Sequence, residues 1–206
     1  MNKILPIFVL LFFINTAYSE ENPSIFLESV ANGLISEIQK NEKELETNEE
    51  LAKQLVRTNL LPAIDTNGFA KRTIGKKAWT SASDQQKKQF VDLFIDLVIG
   101  NYAKGLSLYD GQVFKFSDPV LSKSGKSAKV RSSMEQSGST PIIIDYLLNN
   151  KSGKWKIINL TIEGVSMIKS YKSQFSPRLN KLGMNEFLAE LESNKVVAVA
   201  ASKSSL

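Results

Sequence analysis

The sequence contains no cysteine and no histidine among its 206 residues. Without cysteine the fold must stand on packing alone, and no thiol is available for redox or nucleophilic work. Without histidine there can be no Cys/His zinc site, no Ser-His-Asp triad and no histidine general base, which leaves carboxylate, lysine, serine or tyrosine chemistry. Also missing are a G-x-S-x-G elbow, a Walker loop and a dinucleotide G-x-G-x-x-G, each of which would place a nucleophile or a phosphate at a defined turn. The formal net charge of +5 is mild, and Lys71-Arg72 with Lys76-Lys77 is its densest cluster. That cluster has no interleaved aromatics on which bases could stack, so nucleic acid is not an expected partner. A solvated basic face, or docking to an acidic lipid or partner surface, fits it better.

Long apolar runs are also scarce. The one at the N-terminus spans Ile4 to Ile14, follows Lys3 and precedes Ala17-x-Ser19. It falls short of the ~18 residues that a membrane span needs, and it has the three parts of a signal peptide. Cleavage is expected after Ser19. The domain reading is therefore a leader over 1–19, one domain over 20–195 and a frayed Ala/Val/Ser tail over 196–206, with the protein exported to the periplasm as a monomer.

Periodicity gives the order of elements. Asn22-Pro23 opens a helix with Phe26, Leu27, Val30, Ala31, Leu34 and Ile38 on one stripe, and 42–46 reads as a polar connector. Thr47-Asn48-Glu49-Glu50 reads as a capping box for a second helix that Pro62 ends or bends. A short third helix is capped by Asp65 and stopped by Gly75, which places Trp79 in a connection. The longest helix starts at Ser83, with Gln86 as its reciprocal cap. Phe90, Val91, Leu93, Phe94, Ile95, Leu97, Val98 and Ile99 make its apolar face wider than one stripe, so it must line a cavity as well as a core, or be buried on most sides. After Asp110-Gly111 the period changes to that of strands. Val113–Phe116, Lys126–Gln136, Thr140–Asn149 and Lys154–Ile162 are separated by turn residues, as in an antiparallel meander. Helical spacing returns at Val165, Ile168, Tyr171, Phe175 and Leu179, stops near Gly183, and resumes through Leu191. The class is α+β, with about four antiparallel strands packed with helices.

Two constellations could carry chemistry. Asp92 and Asp96 lie one helical turn apart, but they face away from the apolar stripe and have no second carboxylate pair, which is the pattern of a solvated face. Ser166-Met167-Ile168-Lys169 is an S-x-x-K tetrapeptide in a chain that also holds Lys123-Ser124-Gly125 and Lys151-Ser152-Gly153. Both K-S-G pieces precede the serine and no S-D-N occurs, so the penicillin-binding arrangement is not reproduced. On the residues alone three function classes stay open: a carrier of an apolar ligand, an envelope enzyme using Ser166 and Lys169, and a structural adaptor without ligand.

The order of residues resembles the MlaC (toluene-tolerance) family over nearly all of the expected mature chain. The matching pieces are Leu60-Leu61-Pro62, Phe69-Ala70 with Ile74-Gly75, then Trp79, Thr80, Gln86, Phe90, Phe94 and Tyr102. Tyr109-x-Gly111-Gln112 and Gly153-Lys154-Trp155 follow. The most specific is Glu163-Gly164-Val165-Ser166-Met167-Ile168, leading to Tyr171 and Phe175. The resemblance implies a periplasmic phospholipid carrier that maintains outer-membrane lipid asymmetry, working between an outer-membrane lipoprotein and an inner-membrane ABC transporter with an MCE-domain subunit. No enzymatic activity, metal or cofactor is then expected, and the phospholipid is cargo. Exposing each methylene to water is unfavourable by about 0.8 kcal/mol, so acyl chains need a protein lining to cross an aqueous compartment.

The expected lining is Phe94, Leu97, Val98 and Tyr102 from the long helix, Ile142, Ile144 and Tyr146 from the sheet, and Val165, Ile168 and Phe175 from the following helix. A slip of one residue in strand register would exchange Ile142 and Ile144 for Ile143. The headgroup is expected at the mouth, in water and weakly selected, because no arginine cluster or glycine-rich nest marks a closed phosphate site. Lys71, Arg72, Lys76 and Lys77 are expected to assist docking. The leader assignment predicts that N-terminal sequencing of the exported protein reads from Glu20; a protein retaining Lys3 would refute the cleavage.

Overall fold

In a computed structural model describing residues 21–193, six strands form one antiparallel sheet with helices packed around it. The expected leader and the tail from Val196 lie outside the described residues. Helix α1 (Pro23–Lys40) begins as its sequence requires: the Asn22 side chain accepts the Ser24 N–H at 2.8 Å and Pro23 takes the first turn, where no donor is needed. The stretch expected as a polar connector holds a short helix, α2 (Glu42–Leu45), because Leu45 is buried against the neighbouring helices and ties it down. Helix α3 (Glu49–Leu55) is capped by Asn48, whose side chain accepts the Leu51 N–H at 3.0 Å, in place of the capping box expected from Thr47.

Beyond α3 the chain widens into a π-helical turn (Val56–Leu60) and then tightens into a 3-10 turn (Leu61–Ala63) containing Pro62. The turn of wider pitch frees carbonyls, and side chains take them up. Thr58 Oγ1 donates to Gln54 O at 3.0 Å, and Asn59 Nδ2 donates to Leu55 O at 3.0 Å. Helix α4 (Thr66–Ser81) starts with Asp65 accepting the Gly68 N–H at 2.9 Å. Gly75 does adopt a left-handed φ of 83°, but the helix resumes beyond it. Trp79 is therefore helical and packs on the core instead of lying in a connection. Helix α5 (Asp84–Tyr102) has the reciprocal Ser83–Gln86 cap and runs into a 3-10 turn (Ala103–Leu108).

The sheet has four main strands, β1 (Val113–Phe116), β3 (Ser127–Glu135), β4 (Ile142–Asn149) and β5 (Lys156–Ile162). Two strands of two residues, β2 (Val120–Leu121) and β6 (Val165–Ser166), bring the total among the described residues above the four expected. Strands β1 and β2 pair with opposite halves of β3, so they form a single edge broken near Asp118-Pro119. Ser117 spans the break, its N–H reaching Arg131 O at 2.8 Å while its Oγ accepts the Arg131 N–H at 3.2 Å. Glu163 and Gly164 form the two-residue turn between β5 and β6 with φ of 48° and 77°. Such a turn needs left-handed backbone at both positions, and Glu163 is held there because its carboxylate accepts the Ile143 N–H and its own N–H donates to Ile143 O at 2.9 Å.

Helices α6 (Met167–Leu182) and α7 (Met184–Glu192) close the fold. Met167, Tyr171, Phe175 and Leu179 recur every fourth residue and are buried against α4 and α5. At the centre of that contact Phe90 stacks on Phe94 with centroids 5.6 Å apart. Phe175 meets Phe94 edge-on at 5.9 Å, and Phe187 meets Phe175 at 5.3 Å. Phe175 is fully buried there. Phe175→Ala is expected to lower stability by about 3–5 kcal/mol, read as a lower urea midpoint. A change below about 1 kcal/mol would show that this aromatic contact is not what holds α6.

Candidate functional site

Two apolar cavities lie between the helices and the concave face of the sheet. The larger, about 540 Å³, is bounded by the half-buried middle of α1 at Val30, Leu34 and Ile35 and by the sheet at Ile142, Ile144 and Tyr146. The smaller, about 200 Å³, is bounded by α5 at Phe94, Ile95, Val98 and Ile99 and by Ile64 and Met167. Leu60, Leu106, Leu160 and Ile162 line both, so the two spaces adjoin at these side chains. The π-helical turn ends at Leu60 and presents Leu60 and Leu61 to this region. In β5, Ile157 and Ile158 lie across from the single residue Leu148, and this bulge keeps Ile157, Leu160 and Ile162 all on the cavity side.

One end of the sheet is closed. Leu27, Ala128, Leu148 and Trp155 pack there, and the Trp155 indole N–H donates to Glu21 O. At the other end, where β4 begins and β5 finishes, Leu108 and Tyr102 line the cavities although they are 71% and 38% exposed, which marks the mouth. The rim beside them is polar. Asp110 N–H donates to Gln112 at 2.8 Å, and the Gln136 amide donates to the Asp110 carboxylate at 3.1 Å.

Of the expected lining, Phe94, Val98 and Tyr102 border the smaller cavity and Ile142, Ile144 and Tyr146 the larger. Four residues lie elsewhere. Leu97 packs with Ile168 on the helical core, Phe175 is inside the aromatic cluster, and Val165 is 60% exposed on β6. The spacing of Val165, Ile168 and Phe175 suits one helix, but the chain is extended at Val165–Ser166, so the helical phase begins only at Met167 and directs Met167, Tyr171 and Phe175 inward. The α1 face and Leu60, Leu61, Leu160 and Ile162 were missed as lining. The α1 stripe was visible as an apolar face, but a stripe does not distinguish a wall from a core.

Asp92, Asp96 and Ser166, of the candidate catalytic groups, are otherwise engaged. Asp96 pairs with Arg57 at 2.7 Å and Asp92 with Lys88 at 3.1 Å, all of them solvent-facing. Ser166 Oγ accepts the Lys169 backbone N–H at 3.4 Å as the cap of α6 and donates to Asn159 Oδ1 at 3.2 Å. Burial pushes the Tyr146 hydroxyl above its ordinary pKa, partly offset by the Ser132 hydroxyl at 3.3 Å. Burial pushes Tyr171 up to about 12, against a lowering by the Asn101 amide at 3.2 Å and with a further rise from Tyr102.

The MlaC protein family model matches residues 28–193. The intermembrane phospholipid transport system binding protein MlaC of Haemophilus influenzae is 26% identical over 180 residues, covering 86% of this chain and 84% of that one. The toluene tolerance protein ttg2D of Pseudomonas putida is 22% identical over 163 residues, covering 79% and 75%. In shape the chain is similar to the phospholipid-binding protein of Ralstonia solanacearum, solved in complex with a phospholipid. The TM-score is 0.73 at 23% identity, over 84% of this chain and 99% of that one.

The raised Tyr171 value gives a pH prediction. The folded state binds this proton more tightly than the unfolded chain, so the stability it holds is intact below pH about 10 and is lost as pH rises to about 12, by about 2–3 kcal/mol. Denaturation curves across that range should show a smaller loss for Tyr171→Phe; an equal loss would place the effect in other groups.

Proposed function

The chain belongs to the MlaC family, and from that premise we propose that it is a periplasmic phospholipid carrier that shelters acyl chains in the paired cavities. The observation that carries this reading is the lining: two adjoining spaces walled almost wholly by apolar side chains, open at one end beside a polar rim. Acyl chains placed there would be withdrawn from water at about 25 cal/mol per Å² of apolar surface, while the phosphate keeps its hydration at the mouth. The rim offers amides and one carboxylate from Gln112, Gln136 and Asp110, with no arginine fork, which favours weak choice among headgroups. In this reading the carrier serves a transport system that maintains outer-membrane lipid asymmetry, exchanging cargo with an outer-membrane lipoprotein and an inner-membrane ABC transporter with an MCE-domain subunit. It acts as a monomer with no catalytic step and no cofactor.

Purified protein, examined by native mass spectrometry and lipid extraction, is expected to carry a diacyl lipid. Ile144→Glu should abolish that retention with helix content nearly unchanged, since the charge would stand on the cavity wall. Val165→Glu, on the exposed side of β6, should retain it. Lipid held undiminished by a folded Ile144→Glu protein would refute the lining, and turnover lost on Ser166→Ala would point to an enzyme instead.

A further inference from the structure

A second concavity, about 500 Å³, lies outside the lipid cavities between α4, α6 and the turn joining β4 to β5. Lys71, Arg72 and Lys76 come to it from α4, Lys151 from the turn and Lys172 from α6. Lys77, grouped with the first three by sequence, is not among its walls. Three elements distant in sequence thus converge five cations on one cleft.

These cations outnumber the carboxylates that line the cleft by five to one. Among the described residues none of the five forms an ion pair, whereas Lys53 on α3 pairs with both Glu49 and Glu50. The one carboxylate lining the cleft, Asp65, caps α4 through Oδ1 and keeps its charge beside Arg72, so it offsets one of the five positive charges and leaves the cleft strongly basic. Arg72 Nη1 is buried with no hydrogen-bond partner, an arrangement that is unfavourable unless a negative group stands nearby. Asp65 Oδ2 is such a neighbour, and Gly68 leaves room for both atoms: a Cβ there would meet Asp65 Oδ2 at 2.0 Å and Arg72 Nη1 at 2.8 Å.

Position and shape decide the kind of anion. Lys151 follows the end of β4 at Asn149, whereas the cavity mouth is beside the start of that strand at Ile142, so cleft and mouth occupy opposite ends of the sheet. A bilayer facing the mouth would not reach the cleft, and a planar lipid surface does not fill a concavity. A protruding chain segment does, and its carboxylates suit both the guanidinium and the flexible ammonium groups. We propose that this cleft docks an acidic segment of a partner protein, leaving the mouth free. The carrier reading enters only as the landmark of the mouth.

The test uses the exported chain, a fluorescent decapeptide of alternating Asp and Glu, phosphatidylglycerol vesicles and inorganic phosphate. Wild type is expected to bind the peptide, and to bind it more weakly as salt rises through the physiological range. Lys71→Gln/Lys76→Gln/Lys151→Gln/Lys172→Gln should weaken that binding at least about tenfold, with lipid content and circular dichroism unchanged. Lys151→Gln/Lys172→Gln should fall between them, and Lys123→Gln/Lys126→Gln should match wild type. Equal peptide binding by the quadruple variant, or none by wild type, overturns the proposal. So does a variant whose vesicle binding falls while peptide binding does not, which would make a membrane the occupant. Displacement of the peptide by phosphate at matched charge would make it a small-anion site. Loss of lipid from the folded quadruple variant would make the cleft part of the cargo site, whereas lipid absent from wild type would strike the carrier reading and leave the cleft untouched.

Discussion

Phe90 and Phe94, stacked on α5, are met edge-on by residues of α6 and flanked by Phe187 of α7, and these rings carry the contact between the long helix and the two that close the chain. Pairs of this geometry contribute about 0.5–1.5 kcal/mol each beyond the area they bury. Their placement matters more than their sum. By packing at one side of α5 they fix the helix while leaving Ile95, Val98 and Ile99 to face elsewhere, and that remaining surface is what the smaller cavity uses. A protein that keeps apolar space within its fold must draw its rigidity from packing around that space.

The other clusters complete the frame. Leu27, Leu148 and Trp155 seal one end of the sheet, and Ile38, Leu45, Leu55 and Ile99 join the first helices to α5. Between them the middle of α1 stays half-buried, with Leu34 and Ile35 set against the larger cavity and Val30 shared between that cavity and the side chains of the sheet. The β5 bulge and the π-helical turn do the same work locally. Each adds a residue to a regular element, one to keep Ile157, Leu160 and Ile162 on the inner face and one to bring Leu60 to the wall that the two cavities share.

Charge is distributed by a different rule. The exposed faces of α3 and α5 carry cations beside carboxylates, in pairs worth little individually. The α4–α6 cleft carries five cations beside the single carboxylate of Asp65, and it does so at the end of the molecule away from the mouth. Apolar ligand chemistry and anion chemistry are thereby separated by the length of the sheet, so that contact at one need not obstruct the other.

Much of the architecture was legible along the chain because the signals are local. The Asn22-Pro23 start, the Ser83–Gln86 cap and the Asp65 cap need only a few adjacent residues, and the change of hydrophobic period after Gly111 gave the antiparallel strands. The width of the α5 face showed that this helix meets more than one neighbour, as it does. Alternation in β4 placed Ile142, Ile144 and Tyr146 on one face, and the register with β3 and β5 sets that face toward the cavity. What tertiary structure alone decided is which apolar residues wall a space and which fill one. Phe94 and Phe175 have the same chemistry and similar periodicity, yet only Phe94 borders a cavity, because facing depends on where the neighbouring helix lies. The spacing of Val165 suits a helix, yet it is outward-facing because the left-handed Glu163-Gly164 turn returns the chain as a short strand first. The basic cleft depends likewise on the approach of Lys151 and Lys172 to α4 from 75 or more residues away, a proximity that arises only when the sheet and α6 have packed.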